Sequence, residues 1–347
     1  MQSIFEIDSS FLEEQLSNWG QPPFHIKQIF QGVYQKYYQN WEQFTMLSKD
    51  LREKLCSNYS LINLQELKCT QSKDGKTQKY LFELFDGNLI ESVLMQLKDR
   101  TTLCLSTQSG CAMGCAFCAT GRMGFKRNLK SGEILEQVIF FQRLLVNEGK
   151  KTISNLVFMG MGEPFANYEN LKNCLHILKN PNTLRFGSRH MTVSTIGIIP
   201  RIIDFSEDFP QVNLAVSLHA PGNDIRTNLV PINKTYPIEK LITACKDYIK
   251  NTNRRISFEY VLLNGINDDK RQAKELALLV RGMLCHVNLI AYNPINDSDY
   301  SPPDNERITD FSNVLKEYGI NTTIRQSQGQ EIQAGCGQLA GSSSANQ

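Results

Sequence analysis

The order of apolar and polar positions divides the chain into three stretches of different period. Over residues 1 to about 60 the apolar positions recur at helical spacing. In His25 to Tyr34, Ile26, Ile29, Phe30 and Val33 share one face; Ser9 and Ser10 stand ready to cap a helix over Phe11 to Trp19. A third helix is expected at about Ser48 to Asn58. Residues 61–107 change to a strand period, with strands expected at 80–85, 89–94 and 101–106 and Asp86-Gly87 as a hairpin turn. From 108 to about 327 strand and helix patterns alternate. Strands are expected at 155–159, 191–195, 212–218, 256–263, 286–292 and 321–325, and helices at about 132–148, 167–179, 237–251, 268–284 and 305–318. That alternation predicts an α/β fold, a parallel sheet of βα units forming a partial or open barrel that binds ligands at its C-terminal strand ends. The polar tail after about 338 is expected to fray.

Composition narrows the class only modestly. With 347 residues, 41% hydrophobic and 21% charged, the chain has ample material for a core. A net charge of +2 neither demands nor excludes RNA, so any basic footprint is local. Candidates are Lys49, Arg52 and Lys54 on the third helix, and Lys126, Arg127, Lys130, Arg185, Arg189 and Arg201. Against each stands the plainer reading of a solvated surface charge. No apolar run has membrane-spanning length, and the first residues carry early acids without a signal-peptide core. Ten cysteines in a chain this long do not read as a secreted disulfide scaffold; a reducing cytoplasm is expected.

Chemistry concentrates in Cys111-Ala-Met-Gly-Cys115-Ala-Phe-Cys118, just after the apolar run that ends at Ser106. Three thiolates on one short loop can hold three irons of a four-iron cluster and leave the fourth open to a ligand. A structural zinc loop is the alternative, but zinc sites close with a fourth Cys or His nearby. Here no His lies between His25 and His176, and Cys104 is the only other cysteine close in sequence. Further polar groups fall at expected strand ends: Gly160-Met-Gly162-Glu163-Pro164, Val193-Ser194-Thr195, Ser217-Leu218-His219 and Asn293. Cys336 lies past the last strand between glycines, a setting for a thiolate that moves and reacts, and Cys104 near the site mouth is a candidate partner. Cys56, Cys69, Cys174, Cys245 and Cys285 sit in ordinary helix or strand contexts.

The C-x3-C-x2-C loop resembles the radical S-adenosylmethionine (SAM) superfamily. With GFKRNL, GMGEP, VSTIG, SLHAP, NPIN and the CGQL end in one order, the chain resembles the radical SAM RNA adenine methyltransferases over nearly its whole length. These comprise an RlmN type acting at adenine C2 and a Cfr type acting at C8. The resemblance implies a partial (β/α)6-type radical SAM barrel (98–330), a small N-terminal helical, RNA-contacting domain (1–60), a β-rich connector (61–97) and a C-terminal segment (331–347). It implies a [4Fe-4S] cluster on Cys111, Cys115 and Cys118, and SAM bound by Gly162, Glu163, Ser194, Ser217, Leu218, His219 and Asn293. Cys336 matches the cysteine that is itself methylated, Cys104 the resolving cysteine of a transient disulfide, and Glu91 the proton acceptor. In that chemistry one SAM methylates Cys336 and a second yields a 5′-deoxyadenosyl radical that takes a hydrogen from the S-methyl group. The resulting carbon radical adds to adenine, and Cys104 then releases the methylated RNA.

The implied partners are 23S rRNA at the peptidyl-transferase region, for the C2 type also the tRNA adenosine 3′ of the anticodon, and an electron donor such as flavodoxin or ferredoxin. A monomer is expected. Pro164 and the run Gly121 to Asn128 resemble the C2 type. Ala291, Gly335 and the run Gln326 to Gln330 depart from it: proline, alanine and a further arginine are common there. A Cfr-type enzyme, a radical SAM enzyme on a small metabolite or peptide, and a noncatalytic RNA-binding protein with a structural metal loop are the alternatives. Product identity, RNA stimulation of SAM cleavage, and iron and sulfide content separate them.

Overall fold

A computed structural model describes residues 1–296 and 298–341. The end of the tail expected to fray, 342–347, lies outside the described residues. The N-terminal unit contains α1 (Ser9–Asn18), α2 (Phe24–Tyr34) and α3 (Lys49–Asn58), with short strands β1 (Gln2–Ser3) and β2 (Tyr59–Ser60) pairing in parallel. Asp8, one residue before the expected serines, caps α1 by accepting from the Ser10 amide. On α2, Ile29 and Val33 are fully buried, while Ile26 and Phe30 pack at the edge of the same core.

Ten strands form one sheet, β3 (Gln65–Gln71), β4 (Thr77–Glu83), β5 (Leu89–Leu97), β6 (Arg100–Cys104), β9 (Asn155–Phe158), β10 (Met191–Thr195), β11 (Asn213–Ser217), β12 (Ile256–Leu262), β13 (Cys285–Ala291) and β14 (Thr322–Arg325), neighbouring in that order. From β3 to β6 neighbours pair antiparallel, and from β6 to β14 they pair in parallel. The small pair β7 (Gln108–Gly110) and β8 (Phe125–Asn128) stands apart. Among the described residues seven parallel strands alternate with helices α4 (Ala119–Arg122), α5 (Ser131–Asn147), α6 (Tyr168–Lys179), α7 (Ile199–Asp208), α8 (Asn223–Leu229), α9 (Ile238–Thr252), α10 (Lys270–Leu279) and α11 (Asn305–Glu317). Because β3 and β14 are edges, the barrel is open. The strands of the expected connector continue this sheet without a break.

Several elements differ from the sequence reading, among them the unexpected short pieces β7, β8, α4 and α8. The edge strand β3 leaves no strand signal because it is polar and almost wholly exposed, as edge strands often are. Helix α7 is an addition: its Ile-Pro start and Ile-Ile pair disguise a helix whose Pro200 occupies the first turn, where no amide donor is needed. Its Ile202 and Phe205 are buried. Helix α10 ends at Leu279, before Gly282 turns the chain with φ +76°.

Helix α5 is buried on nearly every side because it lies between the sheet and the N-terminal unit. Two buried charges on it make the junction. Arg143 donates to the carbonyls of Tyr37 (3.0 Å), Tyr38 (2.6 Å) and Leu61 (3.2 Å). Glu136 accepts from the Asn63 and Leu64 amides. Replacing Arg143 by Met leaves three carbonyls without that donor, and a loss of about 3 kcal/mol is expected. Urea unfolding and faster proteolysis of the N-terminal unit would report it; unchanged values would refute this junction.

Candidate active site

The cysteine loop is a closed excursion. Strands β7 and β8 pair on either side of it, and the Cys111 amide donates to Gly124 O (3.1 Å). Gly110 makes the pinch possible: its φ is +72°, and a Cβ there would lie 1.9 Å from Gly124 O. The Ala116 amide bonds Leu229 O (3.0 Å), tying the loop to the end of α8.

At the C-terminal strand ends the loop faces a partly open cavity. Cys111, Cys115 and Cys118 line it, with Gly162 and Glu163 after β9, Ser194 on β10, Ser217 and His219 at the end of β11, and Asn293 after β13. Cys336 enters the same cavity from the tail. Of the expected SAM contacts, Leu218 does not line the cavity; its backbone bonds Glu259 O and the Arg226 guanidinium instead.

Each buried polar group here is tied into the structure. Glu163 accepts from the amides of Phe165 (3.0 Å) and Ile196 (2.9 Å), and burial lifts its carboxyl to about 7. Gly162 holds φ +101°, with Gln108 so close that a Cβ would lie 2.5 Å from it. His219, at φ +60°, accepts from the Val261 amide through Nδ1 (3.1 Å) and meets Phe117 edge-on at 4.7 Å. Burial and the Arg226 charge lower it to about 3, so the ring is neutral.

The donor set suits an iron–sulfur cluster. Burial pushes Cys111 up to about 12 and raises Cys115 and Cys118, a desolvation cost that a bound cationic metal centre would reverse. Among the described residues no three His, Cys, Asp or Glu side chains converge on a single metal position. Three cysteine thiols of one loop, all lining one cavity, suit a ligand set with one thiolate per iron that leaves the fourth iron open.

A second, smaller cavity adjoins the first. Cys104, Cys336 and Arg325 line it, so the two cysteines far apart in sequence share one chamber. Both are free thiols. The Cys336 side chain is open to the cavities although protein surrounds it. Hydrogen bonds to its backbone seat the tail: Ala119 N to Gly337 O (2.7 Å), Thr120 Oγ1 to Leu339 O (2.6 Å) and Asn293 Nδ2 to Cys336 O (3.0 Å).

Comparison with known proteins matches this geometry. Residues 105–277 fit the family model of the radical SAM superfamily, and residues 2–61 fit that of the ribosomal RNA large subunit methyltransferase N-terminal domain. The probable dual-specificity RNA methyltransferase RlmN of Bacillus thuringiensis (strain Al Hakam) is 46% identical over 337 residues, covering 97% of this chain and 92% of that protein. Its counterpart in Bacillus cereus (strain AH187) matches equally. The chain belongs to the RlmN family of radical SAM enzymes. A crystal structure of a radical SAM methyltransferase from Sphaerobacter thermophilus superposes with a TM-score of 0.95 at 45% identity, covering 99% of this chain and 100% of that one.

In this RlmN-family chain Glu91 lines neither cavity. Its carboxylate pairs with Lys79 (3.0 Å) and accepts from the amides of Ala340 (2.8 Å) and Gly341 (3.1 Å), holding the tail. The basic candidates are mostly committed inside the protein. Arg127 binds Asp86 and Glu133, Lys130 binds Glu6, Arg201 binds Asp204, Arg189 binds Gln211 and Arg185 binds Pro181 O. On α3, Lys49 and Lys54 pair with Glu53 and Asp50, and Arg52 donates to Glu42 O. Lys126 is exposed on β8.

Sequence reasoning misses Arg226, Glu259 and Arg325. A glutamate inside the apolar run Ile256 to Leu263 is the signal for Glu259. Nothing in the sequence marks Arg226, which is wholly buried and donates to the carbonyls of Ile196 (2.6 Å), Ser217 (3.2 Å) and Leu218 (3.0 Å). It thereby holds the ends of β10 and β11 together. Arg226→Leu is expected to cost about 3 kcal/mol or more in urea unfolding, because three inward-facing carbonyls lose their donor. An unchanged midpoint would refute this role.

Proposed function

We propose that this protein methylates C2 of an adenosine, in the peptidyl-transferase region of 23S rRNA and in tRNA 3′ of the anticodon, through a methyl group carried on Cys336. The observation that carries the reading is the shared chamber of Cys104 and Cys336, which adjoins the cavity of the three-cysteine loop. Family membership and the relatives' dual-specificity name support the RNA substrates. Pro164 supports C2 over C8, by resemblance. The N-terminal unit (1–60) is assigned to RNA contact, 61–97 to linking it with the catalytic barrel at 98–330, and 331–347 to the methyl carrier. A flavodoxin or ferredoxin would supply electrons to a monomeric enzyme in the cytoplasm. Among the described residues no helix is long and apolar enough to cross a membrane.

Cys111, Cys115 and Cys118 would hold the four-iron cluster, and Gly162, Glu163, Ser194, Ser217, Leu218, His219 and Asn293 would frame SAM. Leu218 serves through its backbone, by fixing the turn that carries His219. When bound, cluster and SAM supply a carbon-centred radical that removes one hydrogen from a methyl group. This chain's residues do the rest. Adenine C2 is electron-poor and resists direct polar methylation, so the Cys336 thiolate takes the methyl group first, displacing it from SAM's sulfonium. After one hydrogen is removed, the S-bound carbon adds to C2, joining Cys336 to the RNA. Loss of the C2 proton, and of one electron that the oxidised cluster would take back, restores the ring. Glu91 is assigned that proton; because its carboxylate grips Lys79 and the tail, the role requires the tail to lift. The Cys104 thiolate then attacks the Cys336 sulfur and frees the RNA. A reducing thiol resets the disulfide.

Protein reconstituted with iron and sulfide, then supplied with SAM, reductant and unmodified 23S rRNA or tRNA, should yield 2-methyladenosine by nucleoside mass spectrometry. 8-Methyladenosine, or no methylated adenosine while SAM is cleaved, would overturn the reading. Cys111→Ala should lose bound iron and the absorbance near roughly 400 nm while keeping its helical circular dichroism. Full iron retention would contradict the ligand assignment.

A further inference from the structure

The second cavity poses an electrostatic problem that the cysteines alone do not solve. To release the RNA, Cys104 must act as a thiolate, yet it is 9% exposed and sits between Val93 on β5 and Val157 on β9. Burial pushes its thiol up to about 12. A hydrogen bond from the Met159 backbone offsets part of this. The remaining counter-charge comes from one place. Among the described residues, Arg325 is the only lysine or arginine lining either cavity, and it lines both. It stands at the C-terminal end of β14 and reaches across β13 to β12, where it donates to Glu259 Oε2 (3.2 Å). Glu259 is buried and fixed from its other oxygen by Asn288 Nδ2 (2.7 Å), its register partner on β13. The guanidinium is therefore held at one edge while its side chain stays 41% exposed and lines both cavities.

We propose that Arg325, braced on Glu259, is a positioning residue for RNA release, supplying the positive charge beside which the Cys104 sulfur attacks Cys336. This rests on the methyl-carrier reading above. In the step, the S–S bond forms as the bond from Cys336 sulfur to the RNA-borne methylene carbon breaks. The electron pair of that bond goes to the carbon, which takes up a proton and becomes the methyl group. The proton released by Cys104 balances the one taken up. The two sulfurs are oxidised to a disulfide and the carbon is reduced. Arg325 shares the second cavity with Cys104 and Cys336, its paired Glu259 lines only the main cavity, and the strands packed on Cys104 present valines. A guanidinium beside a thiolate favours its formation, as at other activated cysteines. An arginine at a cavity mouth can instead grip an RNA phosphate, and the test separates the two.

Full-length Arg325→Gln, Arg325→Lys and Cys104→Ala proteins, each reconstituted with its cluster, would react with RNA and methyl-labelled SAM. Three quantities are read: Cys336 S-methylation by peptide mass spectrometry, the covalent protein–RNA adduct on a denaturing gel, and released methyladenosine. Arg325→Gln should keep Cys336 methylation, accumulate adduct and slow release about tenfold or more, with Arg325→Lys restoring release to within a few-fold, as expected for a loss of thiolate. Weaker RNA binding without adduct would assign Arg325 to phosphate and overturn the proposal. Loss of Cys336 methylation in both Arg325 variants would also overturn it, since the charge would then act at the first transfer. Adduct in Cys104→Ala but not in Arg325→Gln defeats the proposal while leaving the methyl-carrier reading standing. Absence of S-methylation in the unaltered protein removes both.

Discussion

The site depends on one constraint: the chain's far end must be held over the strand ends so that Cys336 meets both the cluster loop and Cys104. Among the described residues of the tail no strand or α-helix does this. The tail from Ala334 to Gly341 is seated by single hydrogen bonds to groups scattered along the chain, Ala119, Thr120, Asn293, Pro294 and Glu91 among them. Such a seat is precise but breaks one bond at a time. On the proposed methyl-carrier route, that suits a thiol that would meet SAM, then a radical, then adenine, then a second thiol. Asn293 links the main cavity to the tail, because it lines that cavity, donates to Cys336 O and accepts from Gln330 Nε2 (2.6 Å).

Around this seat the buried charged groups are held by partners. Arg226 is bound to strand-end carbonyls, Glu163 to two amides, and Glu259 to Asn288 and Arg325. Buried charges without partners would be costly. Here most of their partners are the backbone groups that fix the strand ends. The same bonds that offset desolvation therefore set the geometry of the site, and a substitution in one is a substitution in both.

Much of this was legible in the residues. The βα alternation marked the parallel sheet, since apolar strands and amphipathic helices have different periods. The three-cysteine loop and the glycines of Gly160 to Gly162 announced their chemistry by spacing. Other features left little trace. Strand β3 is polar on both faces because it is an edge, and α7 hides behind Pro200. The contact of Cys104 with the Cys336 chamber joins residues more than two hundred positions apart, which resemblance suggests and only the fold brings together. Glu91 was expected to face the reaction; its carboxylate turns instead to Lys79 and the tail amides, an interaction invisible from a strand pattern. The basic candidates for phosphate contact mostly have partners within the chain, some distant in sequence, such as Asp86 for Arg127 and Glu6 for Lys130, which a linear pattern does not show.

The central claim is that the methyl group reaches RNA through Cys336 rather than directly from SAM. Its hydrogens record the route. With SAM carrying a fully deuterated methyl group, removal of one deuterium from the S-methyl carbon and later uptake of a solvent proton give a methyladenosine with two deuteriums. The account predicts that product in a single turnover of the reconstituted protein. A product retaining all three deuteriums would mean direct transfer and would contradict it.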